Sequence, residues 1–292
     1  MFAQQLTNGI VLGSTYALFA LGFTVIFGVF KILNLTYGFY FSAGALIALA
    51  TTQYWGASIF IALPVGALAS GVLAVIIDGL LLTPLRRARA PELASLMVTL
   101  GAVLLLYSLI TVFLGPEIRR FPAWVIRQDA VEFGSVRLGA AQMLIIGAVA
   151  ILVFGLLLLM RGSRLGLAIR AVAENEDVAG LMGINVALTV GAVSFLSGSI
   201  GGAAGVLIGL NFNAIHPFMG EHMMLRGFAV IIIGGLGDIR GALVAGVLLG
   251  VAEVMTAGYI DSTLKAGLGF FLMGLALWLG RAACLVCRPD RA

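Results

Sequence analysis

Long apolar runs dominate the sequence and leave room for few folds. A transmembrane helix needs about 20 consecutive, mostly apolar residues. Nine stretches meet or approach that length: 6–30, 32–51, 58–83, 93–115, 140–160, 186–209, 223–239, 241–257 and 264–281. Only 10% of the residues are charged, whereas about one-quarter are charged in a typical soluble domain. The sequence therefore predicts an integral membrane protein.

Two of these stretches are interrupted. Asn34, Tyr37 and Gly38 lie early in 32–51, and the short pair 223–239 and 241–257 is joined by "GGLGDIRGA". We expect one all-α, polytopic domain over 1–292, with eight or nine transmembrane helices, one or more of them broken or re-entrant. Gly237 and Gly241, like Gly246 and Gly250, are four residues apart, a spacing that lets helix backbones approach closely. Residues 234–250 are therefore expected to form a tight turn or hairpin.

Arginines in the connections predict the orientation, because basic residues concentrate in short cytoplasmic loops. They fall in three places that must share one side of the membrane: Arg86, Arg87 and Arg89; Arg161, Arg164 and Arg170; Arg281, Arg288 and Arg291. The loop 116–139 also holds arginines and counts against this assignment, but it is long and contains acidic residues. We expect the N-terminus outside and the C-terminus in the cytoplasm.

Catalytic and cofactor motifs are missing from the sequence. The only lysines, Lys31 and Lys265, follow no phosphate-binding loop, and no basic stripe indicates nucleic acid. His216, Glu221 and His222 could be imagined as metal ligands, but their spacing matches no standard site and favours a wet extracellular turn. Two further residues, Cys284 and Cys287, form a lone C-x-x-C that favours small apolar residues at a helix end over a redox or metal pair. We expect no enzyme activity, no cofactor and no metal.

Few ionisable residues fall within the predicted spans. Asp78 lies near the cytoplasmic end of its span, and Arg226 is close to Glu221 in the sequence. Glu253 has no evident partner and is the best candidate for a buried polar contact. We interpret these charges as serving packing and topology, because a proton-driven carrier would carry a chain of acids in its spans.

The segment "RAVAENEDVAGLMGIN", residues 170–185, is an island of charge between two apolar runs. As a helix it would place Arg170, Glu174 and Asp177 on one side and an apolar group on the other. That apolar group is Val178, Leu181, Met182 and Ile184. Gly183 can end the helix and turn the chain back to the membrane. An ordinary solvated linker is the alternative interpretation.

Within the island, Asp177-Val178-Ala179, three further residues and Gly183 resemble the E-A-A-x-x-x-G cytoplasmic loop of ABC importer permeases. Three more stretches, at 8–29, 32–38 and 234–253, occur in the order found in one family. The chain resembles the permease of branched-chain amino-acid ABC importers, the LivH type. Asn34-Leu35-Thr36-Tyr37-Gly38 departs from that family's usual N-L-A-H-G, and this leaves the solute open.

The resemblance implies a permease subunit that forms half of a translocation pathway for branched-chain or related amino acids. Its implied partners are a second permease, two cytoplasmic ATPases and an extracytoplasmic solute-binding protein, in a bacterial or archaeal cytoplasmic membrane. ATP would be hydrolysed on the partners, since this sequence has no nucleotide site. Import of urea or short amides, and a stand-alone secondary carrier or channel, are the alternatives.

Two sets of site residues follow. A cytoplasmic coupling loop at about 161–185, with one coupling helix at 170–183, would contact an ATPase through Arg170, Glu174, Asp177, Ala179 and Gly183. The densest polar set at membrane depth would line part of the translocation route: Asn8, Ser14, Thr15, Tyr16, Asn34, Thr36, Tyr37 and Gly38. Unwound backbone is tolerated at that depth only where it lines a cavity or is buried in protein. Gly38 is expected to permit the break. The alternative is that these side chains bond neighbouring helices.

Overall fold

The structure, a computed structural model, describes residues 2–88, 91–122, 124–125, 130–133, 136–235, 237–259, 261, 267, 269 and 271–274. Its helices are α1 (Phe2–Phe30), α2 (Thr36–Trp55), α3 (Ile59–Arg87), α4 (Glu92–Leu114), α5 (Ala140–Gly162), α6 (Arg164–Glu174), α7 (Glu176–Leu181), α8 (Val186–Phe212), α9 (Met219–Gly234) and α10 (Ile239–Tyr259). Its strands are β1 (Ala130–Phe133) and β2 (Val136–Gly139). The expected helical membrane fold is thus confirmed.

Six of the described helices are long and apolar enough to cross a membrane: α1, α3, α4, α5, α8 and α10. They coincide with six of the nine predicted stretches. The stretch 32–51 becomes α2, which is not among the six, and 223–239 becomes α9, whose 16 residues fall short of a full span. The ninth stretch, 264–281, lies mostly outside the described residues, as do Arg89, Lys265, the tail arginines, Cys284 and Cys287. A total of eight or nine spans stays a prediction.

The centre of the bundle consists of α1 and α8, both largely buried. Helix α10 packs along α1, and α8 packs against α3 and α2. Glycines allow α1 and α10 to pack closely. A Cβ atom at Gly246 would lie 2.6 Å from the Ala17 Cα, and one at Gly13 would lie 2.7 Å from the Val247 Cα. Such contacts compensate for the weak hydrophobic driving force between helices in lipid. The predicted packing role of Gly246 is therefore confirmed.

The hairpin expected at 234–250 is also present. Helix α10 begins five residues after α9 ends, and the backbones of Gly234 and Gly241 approach so closely that a Cβ atom added to either would overlap the other. Of the first pair of glycines, however, only Gly241 lies at a close helix contact. Gly237 has φ of +88°, and among the described residues, its chain neighbours aside, no atom lies within 4 Å of a Cβ atom added there. This glycine therefore serves the turn and not the helix contact.

The predicted break at Gly38 lies earlier in the chain. Helix α1 ends at Phe30, Lys31 takes a left-handed φ of +52°, and α2 begins at Thr36. Gly38 is inside the first turn of α2, where a Cβ atom would lie 3.0 Å from the Gly220 carbonyl oxygen of α9. Gly38 therefore permits a close helix contact, and the polar residues before it form the α1–α2 connection.

The long connection between α4 and α5 contains structure that was not predicted from the sequence. Strands β1 and β2 pair antiparallel, with Ala130 opposite Gly139 and Phe133 opposite Val136. Nearby, Arg119 and Ile215 form an isolated antiparallel bridge between this connection and the α8–α9 connection. Both features lie at the end of the bundle that holds the start of α5 and the end of α8.

Candidate functional site

The charged island forms two short helices, and the prediction of one helix over 170–183 was wrong. Asn175 separates α6 from α7 with extended backbone at φ −156° and ψ 117°. Its side-chain oxygen accepts hydrogen bonds from the Asp177 and Val178 backbone N–H groups at 3.0 and 3.1 Å. An asparagine that satisfies these orphan donors starts a new helix. The two helices, with their flanking turns at 163–185, are called the α6–α7 loop below.

Gly183 ends α7, as expected. The Ile184 backbone N–H donates to the Ala179 carbonyl at 3.1 Å, and the Gly183 N–H donates to the Gly180 carbonyl at 3.0 Å. Gly183 has φ of +84°, which favours glycine over any residue with a Cβ atom. The chain then enters α8, capped by the Asn185 side chain.

The α6–α7 loop is fixed to the bundle at two points. The Arg170 guanidinium donates to the Met160 carbonyl near the end of α5. Glu176 of α7 forms an ion pair with Arg86 near the end of α3, and the Arg86 guanidinium stacks 5.0 Å from the centre of the Phe30 ring. The ends of α1, α3 and α5 and the α6–α7 loop therefore lie at one end of the bundle, called the loop face below.

Helix α7 presents apolar side chains outward. Leu181 is 88% exposed and Met182, directly after it, is 78% exposed, while Ala179 is buried against the bundle. Glu174 and Asp177 are exposed on the same loop. Apolar groups exposed beside charged ones are typical of a surface that a partner covers.

Part of the predicted pathway set is buried in a hydrogen-bonded cluster, called the Asn34 cluster below. Asn34 donates to Asp78 Oδ1 at 2.9 Å, and the Tyr40 hydroxyl donates to the same oxygen at 2.7 Å. The Asn34 side-chain oxygen accepts from the Thr36 backbone N–H at 3.0 Å and from the Thr36 hydroxyl. All four residues are at most 3% exposed. The cluster fixes the α1–α2 connection to α3.

A cavity connects this cluster with the loop face. Asp78 Oδ2 has no hydrogen-bond partner among the described residues. With Ser194 it lines a cavity of about 420 Å³ between α3 and α8, which extends to Arg86 and Glu176. Asp78 precedes the end of α3 by nine residues, about 13 Å along the helix. The Asn34 cluster thus lies well below the loop face but on the same helix as its ion pair.

Tyr16, also in the predicted pathway set, belongs to a second buried cluster. Its hydroxyl donates to Glu253 Oε2 at 2.8 Å, and Arg226 Nε lies 3.3 Å from Glu253 Oε1. The Arg226 guanidinium stacks 5.6 Å from the centre of the Tyr16 ring. Glu253 therefore has partners within the bundle, and Arg226 is one of them.

The remaining members of the set are dispersed. Asn8 accepts a hydrogen bond from Gln142 at 3.1 Å and lines a cavity of about 360 Å³ at the end opposite the loop face. Ser14 and Thr15 bond carbonyl groups of their own helix. The Tyr37 hydroxyl donates to the Phe19 carbonyl at 2.9 Å. The structure does not bring the eight residues to one surface.

The histidines lie near the start of α9, at the end opposite the loop face. Burial, together with the nearby His222, lowers the pKa of His216. Among the residues that the structure describes, no group of three or more His, Cys, Asp and Glu side chains could hold a metal ion.

Comparison with known proteins gives the family context of this site. A family model described as "Branched-chain amino acid transport system / permease component" matches residues 5–278. The chain is 28% identical to the high-affinity branched-chain amino acid transport system permease protein LivH of Escherichia coli (strain K12), over 94% of this chain and 92% of that protein. It is also 28% identical to the permease protein BraD of Pseudomonas aeruginosa, over 99% of this chain and 97% of BraD.

An archaeal relative and one solved structure extend the comparison. The probable branched-chain amino acid transport permease protein LivH of Methanocaldococcus jannaschii is 29% identical over 94% of this chain and 86% of its own length. The structure "PsaBC from Streptococcus pneumoniae in complex with Fab" superposes with a TM-score of 0.52 at 12% identity, covering 96% of this chain and 93% of that chain. At that identity the likeness shows the fold alone.

Proposed function

This chain belongs to the family of permease components of branched-chain amino acid transport systems, and we propose that its α6–α7 loop docks on an ATPase, whose movements drive solute import. The chain is a transport subunit of an ABC importer and not an enzyme. We propose that it works as one permease domain beside a second permease, with two cytoplasmic ATPases and an extracytoplasmic binding protein.

The observation that carries this proposal is the construction of the α6–α7 loop. It projects the apolar side chains of Leu181 and Met182 away from the bundle, and such side chains supply docking energy in a groove of a partner. The bonds of Arg170 and Glu176 tie it to the ends of α5 and α3. A loop held at both helices can transmit a displacement of the partner to the spans, whereas a floppy linker cannot.

The same loop supports the orientation that we propose. If the ATPases bind at the loop face, this face is cytoplasmic, and the N-terminal end of α1 lies outside because Phe30 at its other end contacts Arg86. The arginines at 86, 161, 164 and 170 then obey the excess of basic residues in cytoplasmic loops. The proposed location is the cytoplasmic membrane of a bacterial or archaeal cell.

For the solute we propose a branched-chain or chemically related amino acid, because the relatives are named for branched-chain amino acid transport. Of the predicted pathway residues, Asn8 keeps the best support for a place on the route, since it faces an open, amide-lined cavity. Tyr16 is buried, and its hydroxyl bonds Glu253. The buried Asn34, Thr36 and Tyr37 serve to position helices.

Two substitutions in the α6–α7 loop test the coupling proposal. Asp177→Lys reverses an exposed charge of α7, and Gly183→Val forces a β-branched residue to φ of +84° at the end of α7. We expect both variants to insert normally, and to lose roughly 80% or more of ATPase association or of solute uptake. Co-purification in mild detergent and uptake into proteoliposomes provide the measurements.

Matched controls lie at the opposite end of the bundle. Glu117→Lys reverses an exposed charge there, and Gly115→Val strains another glycine, at φ of +80°. Both should bind the ATPases like the unmodified protein. If Asp177→Lys and Gly183→Val bind the ATPases and transport normally, the α6–α7 loop is only a linker.

A further inference from the structure

We propose that Arg226 binds the carboxylate of the solute during its passage, with Glu253 and Tyr16 as the groups that hold its guanidinium in place. This inference rests on the proposed function, because it assumes an amino acid as the solute. It assigns a binding role to a residue of α9 that, from the sequence alone, was expected to serve packing or topology.

The depth of Arg226 is the first observation. Its guanidinium stacks on Tyr16, the middle residue of α1, which runs from Phe2 to Phe30. Because α1 is 29 residues long, its middle lies about 20 Å from either end. A cation at that depth is costly unless it is paired and faces protein or a water-filled cavity. We therefore expect Arg226 to be paired and to face protein or a water-filled cavity.

The pairing of Arg226 is only partial. Glu253 contacts the Nε atom, and the Tyr16 ring covers one face of the guanidinium. Among the described residues no hydrogen bond is made by the two terminal nitrogens of Arg226, and its side chain is 32% exposed. Glu253, in contrast, is 1% exposed, accepts a hydrogen bond from Tyr16 and forms an ion pair with Arg226. Glu253 thus holds the guanidinium through Nε, and the two terminal nitrogens have no hydrogen-bond partner among the described residues.

The surface around Arg226 does not resemble a lipid-facing surface. From Leu93 onward, the large exposed side chains of α4 are apolar, such as Leu104 and Phe113. On α9 the exposed residues near Arg226 are Glu221 and His222, together with the apolar Leu225. Because Arg226 lies beside the middle of α1, this polar face would reach into the hydrocarbon if lipid covered it. It is better explained by a water-filled route.

A carboxylate is the ligand that this arrangement fits. The terminal nitrogens of an arginine present parallel N–H donors that match the two oxygens of a carboxylate, and such charge-assisted bidentate pairs are stronger than neutral hydrogen bonds. Every amino acid carries an α-carboxylate. A solute released by the binding protein would thus meet, halfway across the membrane, one oriented pair of N–H donors. Glu253 already balances the positive charge of the guanidinium that carries them. Glu253 and Tyr16 are positioning residues in this scheme.

The test separates carboxylate binding from a purely structural ion pair. The complete importer, in proteoliposomes with its binding protein, is assayed for uptake of radiolabelled L-leucine. The Arg226→Gln/Glu253→Gln double variant removes both charges and leaves no unpaired charge, so it is expected to assemble. We expect its uptake to fall about tenfold or more, because no fork remains for the carboxylate. Uptake at the unmodified rate would show that the pair is structural and would overturn the inference.

Arg226→Lys provides the second variant, in case the double variant fails to assemble. Lysine keeps the charge that Glu253 needs but offers no fork. If Arg226 only balances the charge of Glu253, this variant transports leucine at the unmodified rate and the inference is wrong. We expect its uptake to fall about tenfold or more instead. Arg120→Gln, an exposed arginine at the opposite end from the loop face, is the matched control and should transport normally. Failure of the unmodified importer to take up leucine or any other amino acid would instead contradict the proposed function.

Discussion

Asn34→Asp is expected to prevent accumulation of the folded permease. The Asn34 amide donates to Asp78 Oδ1 at 2.9 Å inside the bundle, where both side chains are nearly inaccessible to solvent. A carboxyl group at position 34 would replace this donor by an acceptor and set two like charges against each other. A buried charge without compensation costs about 3–5 kcal/mol, which is a large share of the stability of a typical domain. Thermal unfolding in detergent and the yield of monodisperse protein measure the effect.

The exchange variant Asn34→Asp/Asp78→Asn provides the control. It keeps one amide and one carboxylate across the same contact, and the Tyr40 and Thr36 hydroxyls can still donate to the two side-chain oxygens. We expect it to recover most of the yield. If Asn34→Asp alone is as stable as the unmodified protein, the Asn34 cluster does not hold the α1–α2 connection to α3.

Reversal of the charge at Glu176 is expected to lower solute uptake about fivefold or more while the permease still inserts. Glu176→Arg would set an arginine against Arg86, which the Phe30 ring holds in place, and would release α7 from the end of α3. Because this pair is partly exposed, its contribution to stability is small. The expected loss therefore concerns transmission of movement and not folding. Uptake into proteoliposomes, beside the yield of inserted protein, separates the two.

The exchange Arg86→Glu/Glu176→Arg should recover part of the uptake. Recovery stays incomplete because the stacking of Arg86 on Phe30 is lost. Glu117→Arg, an exposed charge reversal in the connection after α4, serves as the control and should transport normally. Normal uptake by Glu176→Arg would show that the ion pair is dispensable for coupling.

The positions of the spans could be predicted from the sequence because they follow from hydrophobic length alone. Six of the predicted stretches became helices that can cross a membrane, and the polar residues near Asn34 were correctly recognised as an interruption. The break between α6 and α7 also left a signal that was overlooked. Asn175 is followed by Glu176 and Asp177, and an asparagine before acidic residues is typical of a helix start.

The buried clusters could not be predicted, because they depend on which helix faces meet. Asn34 and Asp78 are 44 positions apart, and Tyr16 and Glu253 are 237 positions apart. Hydrophobic periodicity is weak in a helix that is apolar all round, so the sequence does not indicate which side of α1 faces α9 or α10. The β1–β2 hairpin was missed for a different reason, since its strands of four residues each lie in a long polar connection.

The central claim, that the α6–α7 loop is the docking surface for an ATPase, is tested most directly at Leu181, which is 88% exposed. A Leu181→Cys variant, in a background with Cys284→Ala and Cys287→Ala, is treated with a water-soluble thiol reagent alone and after assembly with the ATPases. Arg120→Cys in the same background is the control and should react equally in both states. We expect position 181 to react fully in the isolated permease and to be protected in the complex. Equal reaction of position 181 in both states would contradict the account.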